Sequence, residues 1–283
     1  MSGEASPVDR LPTEARQVVH KARPVLEMLA RAGHVAKGAL YVTVGVLAVR
    51  AAIGFGGDTT DNRGALREII QLPFGKVLLV AVAVALFGYA VWRVVEGVLD
   101  PRHEGTEWKA VIKRIGYVIS GLVHGALGVS AVQLVNGTPA PSSEQTSKHW
   151  TATVLRESYG PWLVGAVGAI VVGVGLYQLW RALKGSFKKD LKLGEMSPAE
   201  RSWTNLAGRL GLAAHGVVFD VMGIFLILAA LEHDPNRARG LGGALAELAT
   251  SPLGPWLLAT VAMGLMAYGI YNFVEARYRR VPG

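Results

Sequence analysis

The sequence predicts an all-α membrane protein: six transmembrane helices built as three parallel two-helix repeats. Three observations predict it, namely six apolar runs of membrane-spanning length, basic residues gathered at alternate connections, and a motif that returns three times. The chain is 51% hydrophobic with a mean hydropathy of +0.33, too apolar for an ordinary soluble domain. The runs fall near residues 33–53, 73–96, 114–135, 160–181, 209–231 and 254–276. Each approaches the ~20 residues that a helix needs to cross a bilayer core.

Charge sets the expected orientation. Of the 29 Lys and Arg residues, 21 lie in the N-terminal tail through Lys37, around 93–114, around 181–209 and at the C-terminal end. Positive residues are retained on the cytoplasmic side, so both termini and the even-numbered connections are expected inside. The net charge of +8 is then explained by topology, and no nucleic-acid partner is called for. A polar tail precedes the first run without the pattern of a cleavable signal, so the first helix is expected to stay in the protein.

The repeat is visible in the first helix of each pair: "RAGHVAKGALYVTVGVLAV" from Arg31, "RIGYVISGLVHGALGVSAV" from Arg114 and "RLGLAAHGVVFDVMGIFLI" from Arg209. Arg is followed by Gly at two, seven and fourteen residues in every copy. The second helices open with "LPFGKVL", "SYGPWLV" and "PLGPWLL" and close with "GYAVWRVVE", "VGLYQLWR" and "YGIYNFVE". Short segments precede them, "GALREIIQ", the looser "TATVLRES" and "GALAELAT", expected as interfacial helices on the outer surface. The units are a tail at 1–28, repeats at 29–99, 112–184 and 207–278, and a tail at 279–283. Two spans per repeat insert every copy in the same sense, and such parallel repeats are related by an axis along the membrane normal. A pseudo-threefold bundle follows as an expectation.

The Arg-x-Gly start, the glycine seven residues in and the threefold pairing of helices resemble the bacterial membrane proteins of the DUF1206 family, over roughly residues 29–277. The resemblance implies a six-span protein of the bacterial cytoplasmic membrane, with no implied activity. The third copy departs from the pattern at Asp220.

Glycines seven apart share one helix face, and small residues let membrane helices approach closely where burial alone gives no drive. Gly38, Gly45, Gly121, Gly125, Gly128, Gly216 and Gly223 are therefore the candidate helix-packing positions. Asp220 lies on this face at the level of Val42 and Gly125, so it is expected to face protein, near the middle of its span. An ionised side chain there costs ~2.5–3.5 kcal/mol on insertion scales. His124, one residue off in repeat register, is the candidate partner, with protonation of Asp220 as the alternative. A second polar layer comprises Lys37 and His215 at equivalent positions in first helices, and Arg93, Gln178 and Asn272 at equivalent positions in second helices. These residues suit either snorkelling and helix bridging or a polar vestibule.

No catalytic, metal or cofactor motif is found. There is no cysteine, the histidines form no pair at metal-ligand spacing on one helix, and "GFGGDTTDNRG" precedes no strand-helix unit. Ser120, His124 and Asp220 lack any arguable oxyanion donors. The tail "TEARQVVHKARPVLEMLARAG" is a basic amphipathic pattern interrupted at Pro24, suited to anionic inner-leaflet lipids. Two functions fit: a non-enzymatic scaffold or binding bundle that meets lipids and other membrane proteins through its faces, or a proton, ion or small-solute pathway using Asp220 and His124.

Overall fold

The computed structural model describes residues 13–54, 59–100 and 107–280, with the backbone alone for 13–23 and Leu26. Nine α-helices lie within them: α1 Thr13–Ala52, α2 Asn62–Gln71, α3 Gly75–Leu99, α4 Trp108–Val135, α5 Ser143–Leu155, α6 Gly160–Lys184, α7 Pro198–Leu231, α8 Leu241–Thr250 and α9 Gly254–Tyr278. Six of them, α1, α3, α4, α6, α7 and α9, are long and apolar enough to cross a membrane. Their outward faces carry large apolar side chains such as Val77, Ile119, Leu122 and Ile170, which suit acyl chains rather than water. Exposed Trp108 and Trp203 mark one end, and Trp162 and Trp256 the other, where amphipathic rings meet lipid headgroups.

Local chemistry fixes the helix starts. Ser142 with Gln145 and Ser197 with Glu200 form capping boxes for α5 and α7, each satisfying two orphan backbone groups. Asp61 caps α2 by accepting from the Gly64 N–H at 2.7 Å. The recurring glycine before each second span is explained by a tight return: at Gly75 a Cβ would lie 2.6 Å from the Ile70 carbonyl carbon. The chain there doubles back over the helix it has just left.

One expectation about the tail changes. From Thr13 onward the tail and the first span are a single helix, with Pro24 inside α1. Proline removes one N–H donor, yet the helix continues through it. Of the tail's amphipathic face, Val18, Val19, Ala22 and Leu26 lie outside the described side chains, Val25 is exposed and Leu29 lies against Gly88 of α3.

The spans pack in a defined order. α3 meets α4, α6 meets α7 and α9 meets α1, so each repeat's second span packs on the next repeat's first, and the last closes on the first. Within repeats, α1 meets α3 and α7 meets α9, whereas α4 and α6 make no comparable interface. The spans follow one another as α4, α3, α1, α9, α7, α6 around an arc with a seam between its ends. The contacts between repeats have the cyclic order of a pseudo-threefold bundle, and those within repeats do not.

Close backbone approach explains the three tight pairs. A Cβ on Gly38 would lie 2.9 Å from the Gly269 carbonyl oxygen, one on Gly121 2.9 Å from that of Ala90, and one on Gly216 2.8 Å from that of Gly175. Ala90, Gly175 and Gly269 occupy equivalent repeat positions, so one contact is made three times. The seam falls where these contacts do not: α4 spends its small face on α3 and α6 spends Gly168 and Gly175 on α7, so the close-approach glycines of neither helix are turned to the other.

The end opposite the termini, here called distal, is held by the three odd-numbered connections. Arg63 donates to the carbonyls of Pro141 and Ser142 at 3.0 Å each, Arg239 lies 3.8 Å from Glu144, and Thr59 donates to the Gly242 carbonyl at 3.2 Å. The first connection thus joins the second, the second the third, and the third the first. The expectation of surface helices is corrected for two of them: α2 buries Ala65 and Leu66, and α8 buries Ala244 and Leu245, all at 0% exposure. Their apolar faces, unpaired by lipid, plug inward between the spans. α5 is half-buried along most of its length, with Thr151 buried. At the proximal end the segment Gly185–Ser197 folds under the bundle and ties to the C-terminus, with Arg280 N–H donating to the Asp190 carbonyl at 2.9 Å and Lys192 N–H to that of Tyr278 at 2.8 Å.

A candidate polar site among the six spans

The interior of the arc, in its proximal half, collects polar side chains from every span. α1 supplies His34, Lys37 and Tyr41; α3 supplies Tyr89, Arg93 and Glu96; α4 supplies His124; α6 supplies Gln178; α7 supplies His215; α9 supplies Tyr268, Asn272 and Glu275. Helical spacing aligns them, because His34, Lys37 and Tyr41 are three to four residues apart, as are Tyr89, Arg93 and Glu96, and Tyr268, Asn272 and Glu275.

Two ion pairs anchor the proximal edge. Arg93 donates to Glu96 at 2.7 Å and to the Tyr89 hydroxyl at 2.8 Å. Arg279 donates to Glu275 at 2.5 Å and to His34 Nε2 at 3.3 Å. Burial disfavours the Arg279 charge, but Glu275 and Glu96 outweigh it and hold the guanidinium protonated beyond its ordinary range. His34 is 2% exposed, and with Nε2 accepting from Arg279 its ring proton sits on Nδ1, 3.4 Å from Asn272 Oδ1. Buried charges persist in such a setting when paired and hydrogen-bonded.

Deeper in the arc, the network turns aromatic and neutral. Gln178 Nε2 donates to His215 Nδ1 at 2.5 Å. That leaves the His215 proton on Nε2, donated to Tyr41 Oη at 2.9 Å. His124 Nδ1–H donates to the Ser120 carbonyl of its own helix at 2.7 Å, leaving Nε2 as a bare acceptor. The Lys37 ammonium lies over two rings, 5.5 Å from the Tyr89 centroid and 5.6 Å from that of Tyr268. Among the described residues it has no carboxylate within ion-pairing distance. It is half-buried, in electrostatic reach of Tyr41, His124 and His215.

Six residues that the sequence singles out, Lys37, Arg93, His124, Gln178, His215 and Asn272, are brought into this cluster. Asp220 is not. The Asp220–His124 pair expected from repeat depth is not made: Asp220 Oδ1 is buried against α6 beside Gly175 with no hydrogen-bond partner. Equal depth is not equal direction, because His124 turns toward Tyr89, with ring centroids 4.7 Å apart, while Asp220 turns toward α6. The packing glycines lie on helix contacts, Gly38 and Gly45 on α9, Gly121 and Gly128 on α3, and Gly216 and Gly223 on α6. Gly125 has room: a Cβ there meets only the Ala90 Cβ, at 3.6 Å.

Sequence reasoning passes over His34, Tyr41, Tyr89, Glu96, Tyr268, Glu275 and Arg279. A signal was present: "WRVVE" and "YNFVE" place Glu96 and Glu275 at one repeat position, three residues after Arg93 and Asn272. Tyr89 and Tyr268 are likewise equivalent. As for chemistry, the cluster offers donors, paired charges and one unmatched ammonium; no group of three or more metal-ligating side chains gathers among the described residues.

Comparison with known proteins agrees with the repeat. The profile of the family described as Domain of Unknown Function (DUF1206) matches three times, at residues 32–100, 115–185 and 210–279. The chain is similar to the uncharacterized protein YxxB of Bacillus subtilis (strain 168), with 32% identity over 266 residues that cover 94% of this chain and 95% of that protein. No solved structure matches.

Proposed function

We propose that this chain, which belongs to the DUF1206 family, is a non-enzymatic binding bundle of the bacterial cytoplasmic membrane that holds another membrane component in its polar interior. The observation that carries this reading is the convergence of polar side chains from all six spans in one half of the bundle, beneath a distal half filled by α2 and α8. A polar cluster closed at one end suits retention better than passage. Charged side chains inside a membrane are a functional hypothesis by default, and here most are paired in a fixed network. Basic-residue topology puts the proximal end in the cytoplasm.

The test is made on purified protein in liposomes loaded with a pH-sensitive dye. The binding reading expects no proton or alkali-ion flux above empty liposomes, and a retained membrane component seen by native mass spectrometry. Sustained flux would overturn it. A second reading, a proton or small-solute pathway, is favoured by the unpartnered Asp220 oxygen. Flux unchanged in Asp220→Asn would remove that residue from such a pathway.

A further inference from the structure

We infer that the interior of the arc is a site for a singly charged oxyanion, the phosphodiester of an anionic membrane lipid, with Lys37 as its counter-charge and the α4–α6 seam as its entry. This builds on the binding reading above and adds the chemistry of the ligand.

Charge selects an anion. Among the described residues the cluster holds three permanent cations, Lys37, Arg93 and Arg279, against two carboxylates, Glu96 and Glu275. The carboxylates are taken by the arginines, at 2.7 Å and 2.5 Å. All three histidines use ring nitrogens in hydrogen bonds that fit the neutral form. Three cations less two carboxylates leaves one positive charge, on Lys37. The faces of Tyr89 and Tyr268 attract that ammonium, but a ring quadrupole lends no counter-charge. One negative charge is what a phosphodiester carries.

The donors fit the same ligand. Lys37 offers three N–H groups and no acceptor. His215 donates to Tyr41 Oη, so the Tyr41 hydroxyl proton is not spent on His215, and the Asn62 side chain lies beside the same hydroxyl. Tyr268 sits across the cage, 4.8 Å from Tyr41 between ring centroids, and its hydroxyl makes no described hydrogen bond. The ammonium and the two phenols, which lie within electrostatic reach of it, are the donors available to an oxygen-rich group.

The route favours a lipid over a soluble anion. The distal end is filled by α2 and α8, and the proximal end is underlain by the Gly185–Ser197 segment. The α4–α6 seam faces the acyl chains instead. Lys37 belongs to α1, in the wall across the arc from that seam. The two seam helices each give the interior a polar residue, His124 and Gln178, and Gly173 of α6 has nothing within 4 Å of where a Cβ would stand. A headgroup can enter sideways there while its chains stay outside against Leu122 and Ile170, both exposed.

The test titrates the full chain in neutral detergent with short-chain phosphatidylglycerol, the matched phosphatidylcholine, and inorganic phosphate, read by native mass spectrometry. Phosphatidylglycerol is expected to bind at least about tenfold more tightly than phosphatidylcholine, and Lys37→Met to lose at least about that factor, the loss expected when a buried charge partner is removed. Lys37→Arg is expected to keep most of the affinity, and Tyr268→Phe to lose a few-fold. If Lys37→Met does not fold, the Tyr41→Phe, Tyr268→Phe double variant carries the test, with the same expected direction. A folded Lys37→Met chain that binds phosphatidylglycerol like the wild type would overturn the site. Displacement of the lipid by millimolar phosphate would overturn the lipid assignment. Equal affinity for both lipids would overturn the anionic-lipid assignment, since phosphatidylcholine carries the same phosphodiester with a compensating cation, while leaving the binding reading intact, whereas ion flux with no retained component would sink that reading itself.

Discussion

Alanine at Gly216 should weaken the fold, and alanine at Gly125 should not, although both belong to the same small-residue pattern. At Gly216 the added Cβ would sit 2.8 Å from the Gly175 carbonyl oxygen and 3.1 Å from Leu179 Cγ. The first neighbour is backbone, so α6 and α7 must separate by several tenths of an ångström along a contact that Gly168 and Gly223 also need to be close. Overpacking of this kind costs ~1–3 kcal/mol, offset in part by up to ~1 kcal/mol of helix propensity gained over glycine. With the full offset the net loss is about 0–2 kcal/mol. At Gly125 the Cβ would meet Ala90 at 3.6 Å, an ordinary contact, so the propensity gain stands nearly alone. The two variants should therefore differ by about 2 kcal/mol in opposite directions from wild type. Reversible unfolding by sodium dodecyl sulfate in mixed micelles, followed through the chain's seven tryptophans, measures this directly. Equal stabilities for the two variants would refute the assignment of the α6–α7 contact to backbone approach.

Other perturbations probe the remaining contacts. Glu275→Gln leaves the Arg279 guanidinium without the carboxylate at 2.5 Å and should cost on the order of 3 kcal/mol, the penalty for breaking a buried pair; a loss under 1 kcal/mol in the same unfolding assay would mean the pair is solvated. Arg63→Ala removes the donor to Pro141 and Ser142, so hydrogen exchange should accelerate in the first turn of α5 while α6 and α7 are unchanged. The chain has no cysteine, so single introduced thiols report topology: on intact spheroplasts an impermeant maleimide should label Thr138→Cys and spare Ser186→Cys until the cells are lysed.

The number and kind of membrane helices were legible because their signal is local. A run of Val, Leu, Ala and Gly long enough to span is the same run wherever its neighbours lie, and the glycines at seven-residue spacing mark a face without help from tertiary structure. The candidate site was legible in half. Lys37, His124 and His215 stood out as polar residues in apolar runs, but Glu96 and Glu275 lie at helix ends where a charge attracts no notice. Tyr41, Tyr89 and Tyr268 look like ordinary apolar filling until their rings are found around Lys37. Asp220 was legible as an anomaly, yet its repeat register could not give the azimuth that separates it from His124. The short helices α2 and α8 were legible as helices but not as plugs, since an apolar stripe fits lipid and protein interior equally well.

By itself the sequence determined a six-span, three-repeat membrane chain with glycine faces, because apolar length and helical period are properties of a segment alone. The tertiary structure decided which helices share those faces, that the arc stays open between α4 and α6, and that side chains distant in sequence meet around Lys37. Those outcomes depend on which small face is already occupied by another helix, a competition among segments that no single segment encodes.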